Sequence, residues 1–116
     1  MSFSFDAFVT AALFDRTGQA YFALGDGTVR LGSGETLQAH DGAVLCACPH
    51  PSGQGILSGG DDGRLVWTKA DGVTEVALEK GRWIEAVDAS SESGLIAFAA
   101  GRNVVVRDAA DAAFAR

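Results

Sequence analysis

Short apolar runs alternate with glycine-containing turns along the whole chain. The run Ala20–Leu24 lies between Thr17-Gly18 and Gly25-Asp26-Gly27, and the run Arg64–Thr68 lies between Asp62-Gly63 and Asp71-Gly72. Such pairs supply a positive φ and a local side-chain hydrogen bond, which is what a tight hairpin turn needs. Turns about eight to twelve residues apart, with almost no helical periodicity, predict an antiparallel all-β domain. The predicted strands are Phe8–Phe14, Ala20–Leu24, Thr28–Leu31, Val44–Cys48, Ile56–Ser58, Arg64–Thr68, Val73–Leu78, Ile84–Asp88, Leu95–Ala99 and Val104–Arg107.

The apolar and turn positions also repeat. A shift of 39 residues superposes the last segment on the middle one, and a shift of 36 superposes the first segment on the middle one. A period of about forty residues that carries four short strands is typical of a propeller blade. Because each blade buries both faces only against its neighbours, its strands read as apolar runs rather than as clean alternation. The aligned pairs include Ile56 with Leu95, Leu45 with Ile84, Trp67 with Val106, Val9 with Leu45, and Asp26-Gly27 with Asp62-Gly63.

The middle repeat, residues 39–68, resembles one WD repeat. His40 matches the histidine of the Gly-His pair of that family, Ser58 lies near the end of the second strand, and Asp62-Gly63 matches the next turn. The resemblance implies a buried, hydrogen-bonded structural network of His40, Ser58 and Asp62 that stabilises the blade. Thr68 stands where the family places the tryptophan of this network, and Ala39 replaces the glycine.

The repeats and the resemblance together predict a partial β-propeller of four-stranded antiparallel blades, about three blades of a ring of about seven. The predicted division is a candidate latch strand at 1–5, blade 1 at 6–38, blade 2 at 39–79, and blade 3 at 80–116 with an incomplete outer strand. We expect the remaining blades on a second fragment or chain, because a three-blade arc would leave two apolar faces exposed. Two alternatives stay open: a deliberately shortened chain, and a homodimer of three-blade arcs.

Composition narrows the class of partner. The chain has 116 residues, is 47% hydrophobic and carries a formal net charge of −6. This composition argues against disorder, and the charge argues against nucleic acid or an anionic membrane surface as the partner. No signal peptide and no membrane-spanning run is predicted. Cys46 and Cys48 point the same way in one strand, which excludes a disulfide between them and fits a cytoplasmic location.

Two groups of residues superficially resemble reactive sites. Cys46, Cys48 and His50 suggest metal ligands, but the spacing is not that of a structural zinc site, and packing residues are the prediction. His40 and Asp62 resemble an acid–base pair, but no nucleophile with an orienting base accompanies them. The glycine-rich turns lie between strands rather than before a helix, so no phosphate-binding loop is predicted. We therefore predict no catalytic residue, no metal and no cofactor.

One exposed cluster is a candidate partner-binding face: Lys80, Arg82, Trp83 and Arg102. Tryptophan and arginine dominate binding hot spots. The alternative is that Trp83 closes the mouth of the central channel or packs between blades. The predicted function is a non-enzymatic protein-interaction scaffold with an unknown protein or peptide partner. The alternative is an enzyme or small-ligand-binding propeller whose site needs further blades.

Overall fold

The structure is a computed structural model that describes residues 2–110. These residues form eleven β-strands and no helix, so the all-β prediction is confirmed. The strands are β1 (Val9–Phe14), β2 (Ala20–Leu24), β3 (Thr28–Leu31), β4 (Thr36–Gln38), β5 (Val44–Pro49), β6 (Ile56–Gly60), β7 (Arg64–Lys69), β8 (Gly72–Leu78), β9 (Ile84–Ala89), β10 (Leu95–Ala100) and β11 (Asn103–Asp108).

The strands form three antiparallel sheets in simple chain order. Blade 1 is β1-β2-β3-β4, blade 2 is β5-β6-β7-β8, and the described part of blade 3 is β9-β10-β11. The strand β4 was not predicted, because its three residues carry little apolar character. In the structure only Leu37 of this strand is partly buried. The incomplete outer strand that was expected near the end of blade 3 falls on residues outside the described range. The predicted blade boundaries stay predictions.

The first strand of each sheet lies on the inside of the arc, where β5 packs beside both β1 and β9. Two sets of loops meet at one edge of the arc, which we call the upper rim. One set is the turns between the second and third strands of each blade. The other is the lead-in loops that precede β5 and β9. Backbone hydrogen bonds join them: His40 N donates to Gly27 O at 2.9 Å, and Glu79 N donates to Gly63 O at 2.7 Å.

Blade 2 is buried on both faces. On one face Ile56 and Val66 pack against Tyr21 of blade 1, and on the other Leu57 and Leu65 belong to a core shared with blade 3. All five residues of β6 are buried. Because successive side chains of a strand point to opposite faces, a strand between two blades must be apolar throughout. This explains why the sequence carries apolar runs.

The outward faces of the two end blades are partly open. Val104 and Val106 of blade 3 are exposed, as is Phe14 of blade 1. Residues 2–5 lie in no strand, and Phe3 and Phe5 pack against Phe22 of blade 1, with ring centroids 5.3 and 5.7 Å away. The latch strand at 1–5 therefore stays a prediction, and Met1 lies outside the described residues.

Strand pairing corrects the alignment of the repeats by one residue. Val44 pairs with Gly60 and Ile84 pairs with Ala100, so the first two strands of blades 2 and 3 are offset by 40 residues rather than 39. The offset of 39 holds only for the third strands, because the turn before β11 is one residue shorter than the turn before β7. A single shift applied to the whole repeat cannot accommodate that deletion. Trp83 is therefore equivalent to Ala43, not to Val44.

The same comparison moves the first repeat. Val9 pairs with Leu24 as Val44 pairs with Gly60, so β1 and β5 are offset by 35 residues, and Val9 is equivalent to Val44 rather than to Leu45. The third strands of blades 1 and 2 keep the predicted offset of 36 residues. Tyr21 pairs with Leu31 in blade 1, and the residues 36 positions later, Leu57 and Trp67, pair in blade 2.

At the opposite edge, the lower rim, a buried carboxylate joins blade 1 to blade 2. Asp15 is 7% exposed and accepts hydrogen bonds from Gly55 N of blade 2 at 2.7 Å and from the Tyr21 hydroxyl at 3.2 Å. Its other oxygen accepts from Thr17 and Gln19. Burial alone would raise the pKa of Asp15, but these hydrogen bonds outweigh it and the pKa is lowered.

We predict that Asp15→Asn lowers the free energy of unfolding at pH 7 by about 1–3 kcal/mol, because it weakens the hydrogen bonds to buried donors. Because the pKa of Asp15 is lower in the folded state than in the unfolded chain, its ionised form stabilises the fold at pH values above the ordinary carboxyl pKa. This contribution is lost as the pH falls below about 4. Urea unfolding at pH 7, 5 and 3 measures both effects, with the exposed Asp71→Asn as the control. Equal stability of both variants at pH 7 would contradict the prediction.

Candidate functional site

The three residues predicted to form a network come together at the upper rim. His40 Nδ1 lies 3.1 Å from Asp62 Oδ1, and His40 Nε2 lies 2.8 Å from Ser58 Oγ. His40 belongs to the lead-in loop of blade 2, Ser58 to β6, and Asp62 to the turn that follows β6. The contacts therefore join three parts of blade 2 that are far apart in sequence.

Backbone groups hold the carboxylate of this network. Asp62 accepts hydrogen bonds from Asp41 N at 2.9 Å and from Arg64 N at 3.0 Å. Burial alone would raise the pKa of Asp62, but the hydrogen bonds from Arg64, Asp41 and His40 outweigh it and the pKa is lowered. The carboxylate thus stays ionised and aligns both the loop before β5 and the turn after β6.

Gly60 makes room for the imidazole. A Cβ atom at this position would lie 2.6 Å from His40 Nδ1 and 2.8 Å from Asp62 Oδ1. Both distances are well inside van der Waals contact, so a side chain at Gly60 must displace the network. The last residue of the sequence Ser58-Gly59-Gly60 is therefore a glycine for a steric reason.

The order of these contacts, carboxylate to imidazole to hydroxyl, is also that of a hydrolytic triad. Such a triad needs an accessible nucleophile. His40 and Ser58 are both 0% exposed, and they lie between the sheets of blades 1 and 2. A substrate carbonyl has no route to the Ser58 hydroxyl in this arrangement, so the geometry fits a structural lock.

The other two blades place different chemistry at the equivalent positions. Strand pairing makes Phe22 and Phe98 the counterparts of Ser58. In blade 1 Phe22 packs against Phe5. Phe5 stands three residues before Phe8, just as His40 stands three residues before Ala43, so Phe5 takes the place of His40. In blade 3 Phe98 is buried in the apolar core. Among the described residues, the polar network is therefore found in blade 2, and aromatic packing replaces it in the neighbouring blades.

Thr68 stands at the position that tryptophan occupies in the family motif, but it does not make the hydrogen bond that this tryptophan would make. The Thr68 hydroxyl is fully buried, and no described residue donates to it or accepts from it. The adjacent Trp67 points to the other face, where its ring stacks on His50 with the centroids 3.8 Å apart and its Nε1 donates to Gln54 O at 2.9 Å. The sequence contains a tryptophan one position away, but its side chain serves a different contact.

The residues that resembled metal ligands are packed in the core. Burial raises the pKa of Cys46 to about 11 and that of Cys48 to about 12, so both thiols are protonated at neutral pH. His50 is buried on Trp67, and burial together with the Lys69 charge lowers its pKa to about 4. Within residues 2–110 no three histidine, cysteine or acidic side chains are grouped so that they could hold a metal ion. The sequence predicts a packing role for His50 but does not indicate its stacking on Trp67.

The candidate partner-binding residues lie on the upper rim. Lys80, Arg82 and Trp83 belong to the lead-in loop of blade 3, and Arg102 lies in the turn between β10 and β11. All four are exposed, and Trp83 is 57% exposed. The structure brings the two segments together, because Arg82 Nη1 lies 3.3 Å from the position that a Cβ of Gly101 would occupy. We call these four residues the Trp83 surface.

We predict that Gly60→Ala destabilises the protein by about 1–3 kcal/mol, because its methyl group overlaps the His40 ring. Gly25→Ala is the control, since Gly25 directly follows β2 whereas Gly60 ends β6, and a Cβ at Gly25 would meet its nearest neighbour at an ordinary 3.7 Å. Thermal and urea unfolding measure the difference. The steric explanation fails if the two variants are equally stable.

We also predict that Thr68→Val stabilises the protein by about 1 kcal/mol, because it removes a buried hydroxyl that has no described partner while keeping the shape of the side chain. The same change at the exposed Thr74 is the control and should leave the free energy of unfolding nearly unchanged. A loss of stability in Thr68→Val would indicate that the hydroxyl has a partner after all.

Comparisons with known proteins agree with this geometry. Residues 33–67 match the family described as WD domain, G-beta repeat. The crystal structure of the C-terminal WD40 domain of Sif2 matches with a TM-score of 0.75 at 20% sequence identity, over 91% of this chain and 33% of that chain. No curated protein matches the sequence.

The likeness to the Sif2 domain concerns the fold, and the present chain spans about a third of that domain's length. Within the described range, no helix is long and apolar enough to cross a membrane. The prediction of a partial propeller is confirmed. Residues 33–67 carry a WD repeat, and the chain as a whole has the fold of part of a WD-repeat β-propeller.

Proposed function

We propose that this chain is part of a non-enzymatic propeller scaffold that binds a protein partner through the Trp83 surface. The observation that supports this most directly is the exposed indole of Trp83 on a rim that also carries basic side chains that are not neutralised. Within residues 2–110, neither Lys80 nor Arg82 nor Arg102 forms an ion pair. A large aromatic ring next to arginine is the composition of a binding hot spot.

The loop that carries this surface is held in place by its backbone. Arg82 N donates to Glu79 O at 3.1 Å, and Glu79 N donates to Gly63 O of blade 2 at 2.7 Å. Directly after Trp83, Ile84 is fully buried at the start of β9. A loop backbone that is held in this way loses little conformational entropy on binding.

The alternative, an enzyme or a small-ligand site, has less support from the described residues. A cavity of about 340 Å³ lies between blades 1 and 2 on the lower rim. Asp15 and Tyr21 line it, but they bond to each other and to neighbouring groups. The buried His40 and Ser58 and the two protonated thiols offer no accessible reactive group. These observations favour the scaffold.

We further propose that the end faces of the arc pack against other blades of a larger ring. The exposed apolar side chains Phe14, Val104 and Val106 favour this, as does the span of a third of the Sif2 domain. Those blades would be carried by a second fragment or chain. The net charge of −6 favours a protein partner over nucleic acid or an anionic membrane. The free cysteines Cys46 and Cys48 fit a cytoplasmic location.

We predict that Trp83→Ala reduces capture of the partner at least about tenfold, as expected for the loss of a central aromatic anchor. Phe8→Ala is the matched control, because Phe8 precedes β1 as Trp83 precedes β9 and is 89% exposed. The measurement is quantitative mass spectrometry of proteins retained from a lysate, with circular dichroism to verify folding. If a folded Trp83→Ala variant retains the same proteins as Phe8→Ala, the proposed surface is wrong.

A further inference from the structure

We infer that the Trp83 surface recognises a short acidic peptide segment in which carboxylates flank an apolar side chain. This inference rests on the proposed function and adds the chemical class of the ligand. It depends on three features of the upper rim: the unpaired cations, the loss of an acidic residue from the turn of blade 3, and the exposed indole.

Three basic side chains of the other two blades, Arg30, Arg64 and Lys69, already have acidic partners. Arg64 Nε lies 2.7 Å from Glu75 Oε1, and the Arg30 guanidinium lies 3.7 Å from Asp26. Lys69 lies over the ring of Trp67, 4.5 Å from its centroid, and 4.0 Å from Asp71. The three cations of the Trp83 surface have no such neutralising contact within residues 2–110. Within the described part of the chain, their charge is uncompensated.

The turn of blade 3 differs from its two counterparts in a way that leaves this charge uncompensated. In blades 1 and 2 the turn carries Asp26 or Asp62, and each carboxylate accepts a backbone hydrogen bond two residues on. The shorter turn of blade 3 is Gly101-Arg102 and has no acidic residue. The same place on the rim therefore changes from acidic to basic.

Gly101 also lets the two basic segments approach each other. Gly101 directly precedes Arg102 in the chain, has a φ of +62° and has no side chain. The Arg82 guanidinium lies against it. Two arginines on neighbouring loops can bind a carboxylate by charge-assisted hydrogen bonds. Trp83 follows Arg82 in the chain, and its exposed indole offers an apolar contact of the kind that a leucine or phenylalanine side chain would cover.

The extent of the positive charge argues for a short peptide rather than for nucleic acid. Glu79 and Glu85 flank the loop on the same elements, Asp61 and Asp41 stand on the adjacent rim of blade 2, and the chain as a whole carries −6. A nucleic acid would place a continuous row of phosphates along these carboxylates. A few carboxylates on a peptide can contact the three cations without approaching the acidic neighbours.

The test is fluorescence anisotropy with a defined probe, a fluorescein-labelled decapeptide in which aspartate alternates with leucine. We expect saturable binding to the full chain, weakened at least about tenfold in Arg82→Glu and in Arg102→Glu, and weakened as the salt concentration rises. We expect Trp83→Ala to weaken it at least about threefold. Arg16→Glu is the matched control, because Arg16 is exposed on the lower rim and the same charge reversal there should leave binding nearly unchanged.

Two further probes complete the experiment. A decapeptide with lysine in place of aspartate should not bind, and a single-stranded oligonucleotide of ten thymidines should bind more weakly than the acidic peptide. The inference is overturned if Arg16→Glu weakens binding as much as Arg82→Glu, if the acidic peptide does not bind, or if the oligonucleotide binds more tightly. Loss of partner capture in Trp83→Ala without binding of the acidic peptide would leave the proposed function standing and refute only the ligand class.

Discussion

The burial of both faces of blade 2 is the constraint on which the rest of the molecule depends. A single small sheet cannot form a core alone, so Ile56 and Val66 need blade 1 while Leu57 and Leu65 need blade 3. Apolar packing between sheets is strong but non-directional. The directional contacts lie at the two rims, where Asp15 joins blade 1 to blade 2 on one side and His40 aligns loop and turn on the other. Packing supplies cohesion, and these hydrogen bonds fix the position of each blade.

Much of this arrangement could be predicted from the sequence. Strand positions followed from apolar runs and turns, and the grouping of His40, Ser58 and Asp62 followed from the resemblance of one repeat to a known motif. The stretch Thr36–Gln38 could not be recognised as a strand, since it is short and mostly exposed. The repeat register was wrong by one residue because a deletion of one residue in a turn cannot be located by sliding the chain along itself.

Contacts between distant residues were the hardest to foresee. Nothing in the local pattern around Asp15 indicated that its carboxylate would accept a hydrogen bond from Gly55, 40 residues away. The stacking of His50 on Trp67 was equally hidden, because a strand pattern does not specify which turn residue folds back over the sheet. The candidate binding residues could be chosen from residue type, but their proximity across Gly101 depends on the length of the turn before β11. Such contacts follow from tertiary geometry, and the sequence encodes that geometry only through the whole fold.

The described part of blade 3 lacks the polar network of blade 2, and this has a consequence for how the chain tolerates substitution. In blade 2 the lead-in loop contributes His40 to the interior, so a substitution there disturbs a buried network. In blade 3 the equivalent loop is attached by backbone hydrogen bonds such as Glu79 N to Gly63 O, and Phe98 fills the interior by itself. The side chains of Lys80, Arg82 and Trp83 have no structural duty within the described fold. We therefore expect side-chain substitutions in this loop to cost less stability than substitutions at His40.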